Sequence, residues 1–147
     1  MTGHVLKAGL YGHADLLIGD RIETGRVVVT GEMIDRFADL SGDRFSLHLS
    51  DDVARALGFP RRVAHGLLVL SLIDGLKNTA PAQVRAVASL GWDIRFSAPV
   101  LVDDQIEAAT AEKSVARSAQ SYDITHWGKH WMKGASTTAT DTHSMAC

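Results

Sequence analysis

Asp43 and His48 stand five residues apart in the segment Ser41-Gly42-Asp43-Arg44-Phe45-Ser46-Leu47-His48. A carboxylate and an imidazole so spaced in a loop can hold one water molecule together. Histidine as a residue type takes up and returns a proton near neutrality. The carboxylate can orient the water or serve as the second acid–base group, and each such group contributes roughly 10²–10⁴-fold to a rate. Loops on a rigid scaffold are where reacting groups concentrate. Spacing alone nevertheless favours a plainer reading, a surface Asp and a surface His in a polar loop. A second feature is His65-Gly66, which opens an apolar stretch over residues 64–76. A helix N-terminus offers free backbone N–H groups and a positive dipole end. With no side chain at Gly66, an acceptor oxygen can approach its N–H closely, and a carbonyl placed there would be polarised as in an oxyanion hole. That Gly66 merely permits tight helix packing is an equally weighted alternative.

Other reactive residue types carry less. Asp74 lies late in the apolar stretch, and the Gly75, Lys77 and Asn78 that follow favour an exposed helix end. The Ser71 hydroxyl is expected to bond back to a helix carbonyl. His126 and His130 flank Gly128-Lys129, which looks like a hairpin turn, so their spacing loses the meaning it would have on a helix as a metal pair. Trp92, Trp127 and Trp131 are scattered over the strand-rich half and are expected to pack the sheet. There is no Gly-rich phosphate loop, no Cys-x-x-Cys pair and no nucleophile elbow.

The elements that must position these groups are legible in outline. Arg26-Val27-Val28-Val29-Thr30 reads as a strand. Thr30 can cap a helix from Gly31, with Met33, Phe37 and Leu40 as its buried stripe and Gly42 as its end. Ser50 caps a short helix whose first turn carries Asp51 and Asp52, and Gly58 and Pro60 stop it. The stretch 64–76 is apolar almost all round, so it reads as a helix buried on most faces. Segments near residues 84–96, 105–115, 119–126 and 130–140 are rich in β-formers, with breaks at Pro99, Asp103-Asp104, Arg117-Ser118 and Gly128-Lys129. Strand, helices, then a run of strands is an α+β order with an antiparallel sheet.

Size and composition fit this plan. A chain of 147 residues favours one domain, residues 1–147, with residues 1–18 expected as a loosely ordered lead-in. With 46% hydrophobic and 22% charged residues it is ordinary for a globular domain, which excludes wholesale disorder. A net charge of −2 with no basic stripe speaks against nucleic acid as a partner. No apolar run approaches the ~18 residues that a membrane span needs. Cys147, the single cysteine, cannot form an internal disulfide. The expectation is a soluble cytoplasmic protein.

Three separated pieces of sequence occur in the order of a known family. Phe37-Ala38-Asp39-Leu40-Ser41-Gly42-Asp43-Arg44-Phe45-Ser46-Leu47-His48 is followed by Ala54, Gly58-Phe59 and then Val63-Ala64-His65-Gly66-Leu67. Phe96-Ser97-Ala98-Pro99-Val100, with Asp104 after it, supplies a further element. Together these resemble the MaoC-like dehydratases, which include the (R)-specific enoyl-CoA hydratases. The family pattern reads roughly Ser-Gly-Asp, a variable residue, Asn-Pro, an aliphatic residue and His. The resemblance runs from residue 22 to about residue 140. Phe45-Ser46 departs from the Asn-Pro of many members, and Asp103 stands where a Gly usually precedes the Asp.

The resemblance implies a hot-dog fold, a long central helix wrapped by a curved antiparallel β-sheet. It implies a homodimer or dimer of dimers acting on an acyl thioester carried by CoA or acyl carrier protein. The implied activity interconverts a trans-2-enoyl thioester and a 3-hydroxyacyl thioester, with the (R) product and with neither cofactor nor metal. The family's catalytic pair falls on Asp43 and His48, and its thioester-carbonyl donor on the backbone N–H of Gly66. Two alternatives stay open. One is a hot-dog thioesterase using Asp74, and the other is a non-catalytic acyl-thioester-binding subunit. Arg61, Arg62 and Lys77 can meet carrier phosphates, although plain solvated charges are the simpler reading.

Overall fold

The β-branched run leading to Val29 forms an end strand of a five-stranded sheet. A computed structural model describes residues 4–85, 93–112, 119–127 and 136–142. In it β1 (Gly9–Tyr11) and β2 (Arg21–Val28) precede three short helices, α1 (Gly31–Ser41), α2 (Ser46–Leu49) and α3 (Asp51–Ala56). The longer α4 (Gly66–Asn78) follows, then β3 (Ala82–Val84), β4 (Asp93–Ile94), β5 (Gln105–Glu112), β6 (Ala119–Trp127) and β7 (Ser136–Thr142). The sheet order is β2-β5-β6-β7-β4, and every neighbouring pair is antiparallel. The β2–β5 register shifts between Glu23 and Arg26, where the Thr24 hydroxyl accepts a hydrogen bond from Ala108 N–H at 2.9 Å.

Helix α4 packs against β2 and β5, which gives the expected α+β hot-dog plan. Leu68, Val69 and Ile73 of α4 meet Val29, Ile34, Val100, Val102 and Ile106 in one core. At helical spacing these three lie on one side of α4. Leu67, on the other side, is 61% exposed in the single chain. A second small core joins Ile22, Ala80 and Ala82 to Leu6, Tyr11 and Val84. It sits under a parallel pairing of β1 with β3, so residues 9–11 are tied to the segment that follows α4.

The caps fall where the sequence puts them. The Thr30 hydroxyl accepts from Met33 N–H at 3.2 Å, and Gly42 ends α1 in the left-handed conformation at φ 77°. Ser50 caps α3 by accepting from Val53 N–H. The buried stripe of α1 is rotated from the expected one. Ile34 and Ala38 are its fully buried residues, Met33 and Phe37 are partly buried, and Leu40 is 85% exposed. Ile34 and Ala38 are one helical turn apart, and Ile34 enters the core that Leu68, Val69 and Ile73 of α4 share, whereas Leu40 lies on the far side of the last turn. The expected hairpin at Gly128-Lys129, the break at Arg117-Ser118, and Trp92, His130, Trp131 and Cys147 lie outside the described residues.

Ile73 is 1% exposed at the centre of the main core. Ile73→Ala should destabilise the protein by about 2–5 kcal/mol in denaturant unfolding, the usual cost of such a cavity. Leu40→Ala should change stability by no more than about 0.5 kcal/mol in the same experiment, because its side chain is already in water.

Candidate active site

The site is assembled on the segment that leads into α4. Ala64 N–H donates to Val100 O at 2.7 Å, and Val102 N–H donates to Arg62 O at 2.9 Å, around an antiparallel bridge between Val63 and Leu101. Successive residues of an extended chain present their groups to opposite sides. Val63 therefore turns its own peptide groups toward α2. Its N–H donates to Leu47 O at 3.4 Å, and its O accepts from His48 Nδ1 at 2.7 Å. A carbonyl oxygen can only accept, so Nδ1 carries the proton and Nε2 of the neutral ring keeps its lone pair. His48 is half-buried, with the Phe45 ring edge-on to it at 5.9 Å.

Asp43 comes from the turn that Gly42 makes possible. Its N–H donates to the Ser41 hydroxyl at 3.2 Å, and its Oδ1 accepts from Phe45 N–H at 3.2 Å. A carboxylate that bonds the main chain two residues on is a self-supporting turn of the kind Asp favours. The residue is exposed, and its main-chain oxygen accepts from His65 Nε2 at 2.9 Å. A ring nitrogen from each of His48 and His65 and a carboxylate oxygen of Asp43 lie within 4.8 Å of one another. The two sequence-predicted groups thus meet, on different elements and against a shared neighbour.

His65 is the residue that sequence reasoning missed. Its place in the sequence marks only the start of a helix, yet its ring is 2% exposed and stacked on His48, with centroids 3.8 Å apart and planes 30° from parallel. Two imidazoles and a carboxylate are a metal-binding donor set in type. Imidazole lone pairs lie in the ring plane, however, and in two stacked rings they run side by side rather than converging on one centre. The arrangement suits proton handling around a water better than ligation.

Gly66 is the first residue of α4, and no side chain caps that end. Among the described residues the Gly66 N–H has no recorded acceptor. It borders a cavity of about 380 Å³ whose wall also includes His48, Val63, Val69, Phe96 and Pro99. That volume falls in the range of about 300–1,000 Å³ usual for small-molecule sites. A Cβ on Gly66 would stand 2.9–3.2 Å from ring carbons of Phe96, so a side chain there would require the half-exposed Phe96 ring to shift. Asp43 is not part of the cavity wall; it lies beside His48, which is.

The remaining candidates are occupied elsewhere. Asp74 pairs with Lys77 at 2.7 Å and does not line the cavity. Ser71 Oγ donates to Leu67 O at 2.8 Å, as expected. Arg62 pairs with Asp35 at 2.8 Å. Arg61 pairs at 2.8 Å with Asp104, which is 2% exposed and also accepts from Leu101 N–H at 2.7 Å. Asp103 has φ 66°, the left-handed region that glycine adopts most easily.

The MaoC like domain family model matches residues 15–128, most of the chain. The chain belongs to this MaoC-like family. It is 35% identical over 125 residues to the protein MaoC of Klebsiella aerogenes, a match covering 81% of this chain and 37% of that protein. It is 37% identical over 71 residues to a 3-hydroxybutyryl-CoA dehydratase of Methylorubrum extorquens, covering 48% of this chain and 45% of the relative. The chain therefore matches less than half the length of either relative. The (R)-hydratase of A. caviae shares the fold, with a TM-score of 0.67 and 25% identity over 85% of this chain and 92% of that one.

Nitrogen-15 NMR of the histidine side chains checks the His48 geometry without any substrate. The neutral ring should show the Nδ1–H tautomer, with a bare Nε2. A dominant Nε2–H tautomer would mean that the bond to Val63 O is not made in solution.

Proposed function

We propose that the protein reversibly hydrates a trans-2-enoyl thioester to a 3-hydroxyacyl thioester. The observation that carries this reading is one carboxylate and one imidazole brought together beside a cavity bordered by an open helix N-terminus. In the proposed reaction the thioester oxygen accepts from Gly66 N–H, which draws electron density from C3. A water held between Asp43 and His48 attacks C3. One water proton passes to this pair as the C–O bond forms, and a proton is returned to C2. The sum is H and OH added across the C2–C3 double bond. His48 Nε2, left free by the Nδ1 bond to Val63, is the nitrogen available for proton transfer.

The names of the relatives support the same class of reaction. Besides the dehydratase above, an (R)-specific enoyl-CoA hydratase of Aeromonas caviae is 36% identical over 72 residues, 49% of this chain and 53% of the relative. By that likeness the product is the (R)-3-hydroxyacyl thioester and the carrier is CoA or acyl carrier protein. The working form is proposed to be a homodimer or dimer of dimers, for which the exposed Leu57 and Leu67 offer apolar surface. Among the described residues no helix is long and apolar enough to cross a membrane, and the cytoplasm is the proposed location.

The test is hydration of crotonyl-CoA and longer enoyl thioesters by wild type, Asp43→Asn and His48→Gln. Each variant should lose about 10²–10⁴-fold in kcat. The double variant should be little worse than either single one, because the pair acts as a unit. Wild-type rates in both single variants would sink the assignment. Release of free thiol would instead support thioester hydrolysis. Tight acyl-CoA binding without turnover would support a binding subunit.

A further inference from the structure

We infer that His65 is a positioning residue that aims Asp43 and His48 at the same water, an inference that rests on the proposed hydration. His65 occupies the N-cap position of α4, yet its side chain caps nothing. Its Nε2 instead reaches across to the main-chain oxygen of a residue 22 positions earlier, Asp43, at 2.9 Å. Its ring lies between Phe37, at 5.0 Å between centroids, and His48, at 3.8 Å.

The contact matters because little else fixes Asp43. Asp43 is exposed and follows a left-handed glycine; among the described residues its own other hydrogen bonds reach no further than two residues, and the ion pair beside it, Arg44 with Asp39, is also local. Local bonds of that kind shape a turn but do not fix it against the rest of the fold. The His65 bond does, because His65 is buried and its segment is pinned to residues 100–102. His48 is anchored to the same segment through Val63 O, two residues away. One rigid strip therefore sets the spacing between the carboxylate and the imidazole.

The choice of histidine also has a cost that an apolar residue would avoid. The buried Nδ1 of His65 has no hydrogen-bond partner among the described residues. Leaving a polar atom so placed is unfavourable. Such local conflicts tend to mark functional positions. Among the described residues, the one hydrogen bond that the His65 ring makes is the one to Asp43.

Two substitutions separate the donor from the ring. His65→Phe keeps an aromatic surface for Phe37 and His48 but removes the N–H. His65→Gln removes the ring but keeps an N–H at a similar reach. In crotonyl-CoA hydration His65→Phe should lower kcat by about 10²-fold, the usual consequence of a small misplacement of reacting groups. Its KM should stay within about twofold, because the cavity and Gly66 are untouched, and its thermal midpoint should not fall. His65→Gln should recover most of the lost kcat. Equal losses in both variants, an undiminished kcat in His65→Phe, or a loss that tracks the thermal midpoint would each overturn the positioning role. In the wild type the His65 Nε2 proton should also be protected from solvent exchange in NMR, and its absence would overturn the role even if a variant failed to fold. Absence of turnover by the wild type would overturn the proposed hydration instead, while the NMR result would still report on the tether.

Discussion

Everything at the site hangs on the pairing of residues 62–64 with residues 100–102. The two bonds, Ala64 N–H to Val100 O and Val102 N–H to Arg62 O, join the entrance of α4 to the loop leading into β5. Because an extended chain alternates its peptide directions, fixing 62 and 64 on one side leaves Val63 free to serve the other. Val63 O then holds His48, the His65 ring holds Asp43, and Gly66 starts the helix with its N–H beside the cavity. Residues 63–66 thus set three groups from two separate stretches of chain, Asp43 and His48 in one and Gly66 in the other. The Arg61–Asp104 pair braces the same region, with the buried Asp104 carboxylate also holding Leu101 N–H.

The two departures from the family pattern fall on the edges of this strip and read differently in three dimensions. At Asp103 the chain adopts φ 66°, so the Gly found in other members has an evident backbone reason. Asp tolerates that region better than most residues, and the turn survives with Asp103 N–H bonded to Val29 O at 2.8 Å. At Phe45 the change touches the site itself. Phenylalanine cannot cap α2, and its half-exposed ring stands against the edge of His48. The main-chain N–H of residue 45 is used nonetheless, as the donor to Asp43 Oδ1. That donor is a main-chain group, indifferent to the side chain, while the Phe45 ring adds apolar surface beside the imidazole.

What could be read from the sequence was what depends on near neighbours. Thr30, Gly42 and Ser50 act within their own turns, and each does what its type and place suggest. The apolar stretch of α4 and the strand-rich second half set the α+β order. The buried stripe of α1 differs from the expected one because helical periodicity fixes a face only when the partner is known, and the core shared with α4 takes in Ile34 while Leu40 stays exposed. Asp43 and His48 were found by the ordered motif, since spacing alone argued for a plain loop. His65 was missed because its contacts, to Asp43, His48 and Phe37, all lie between 17 and 28 residues away in sequence. The pairing of β1 with β3 was invisible for a similar reason, because strands so short carry almost no pattern of their own.

The most direct test is a crystal structure of the Asp43→Asn variant with crotonyl-CoA bound. The expected result is a thioester oxygen within roughly 2.7–3.2 Å of Gly66 N. The C3 carbon should face a water that lies between residue 43 and His48 Nε2. A thioester carbonyl seated away from Gly66, or a C3 turned from His48, would contradict the claim that residues 63–66 organise the chemistry.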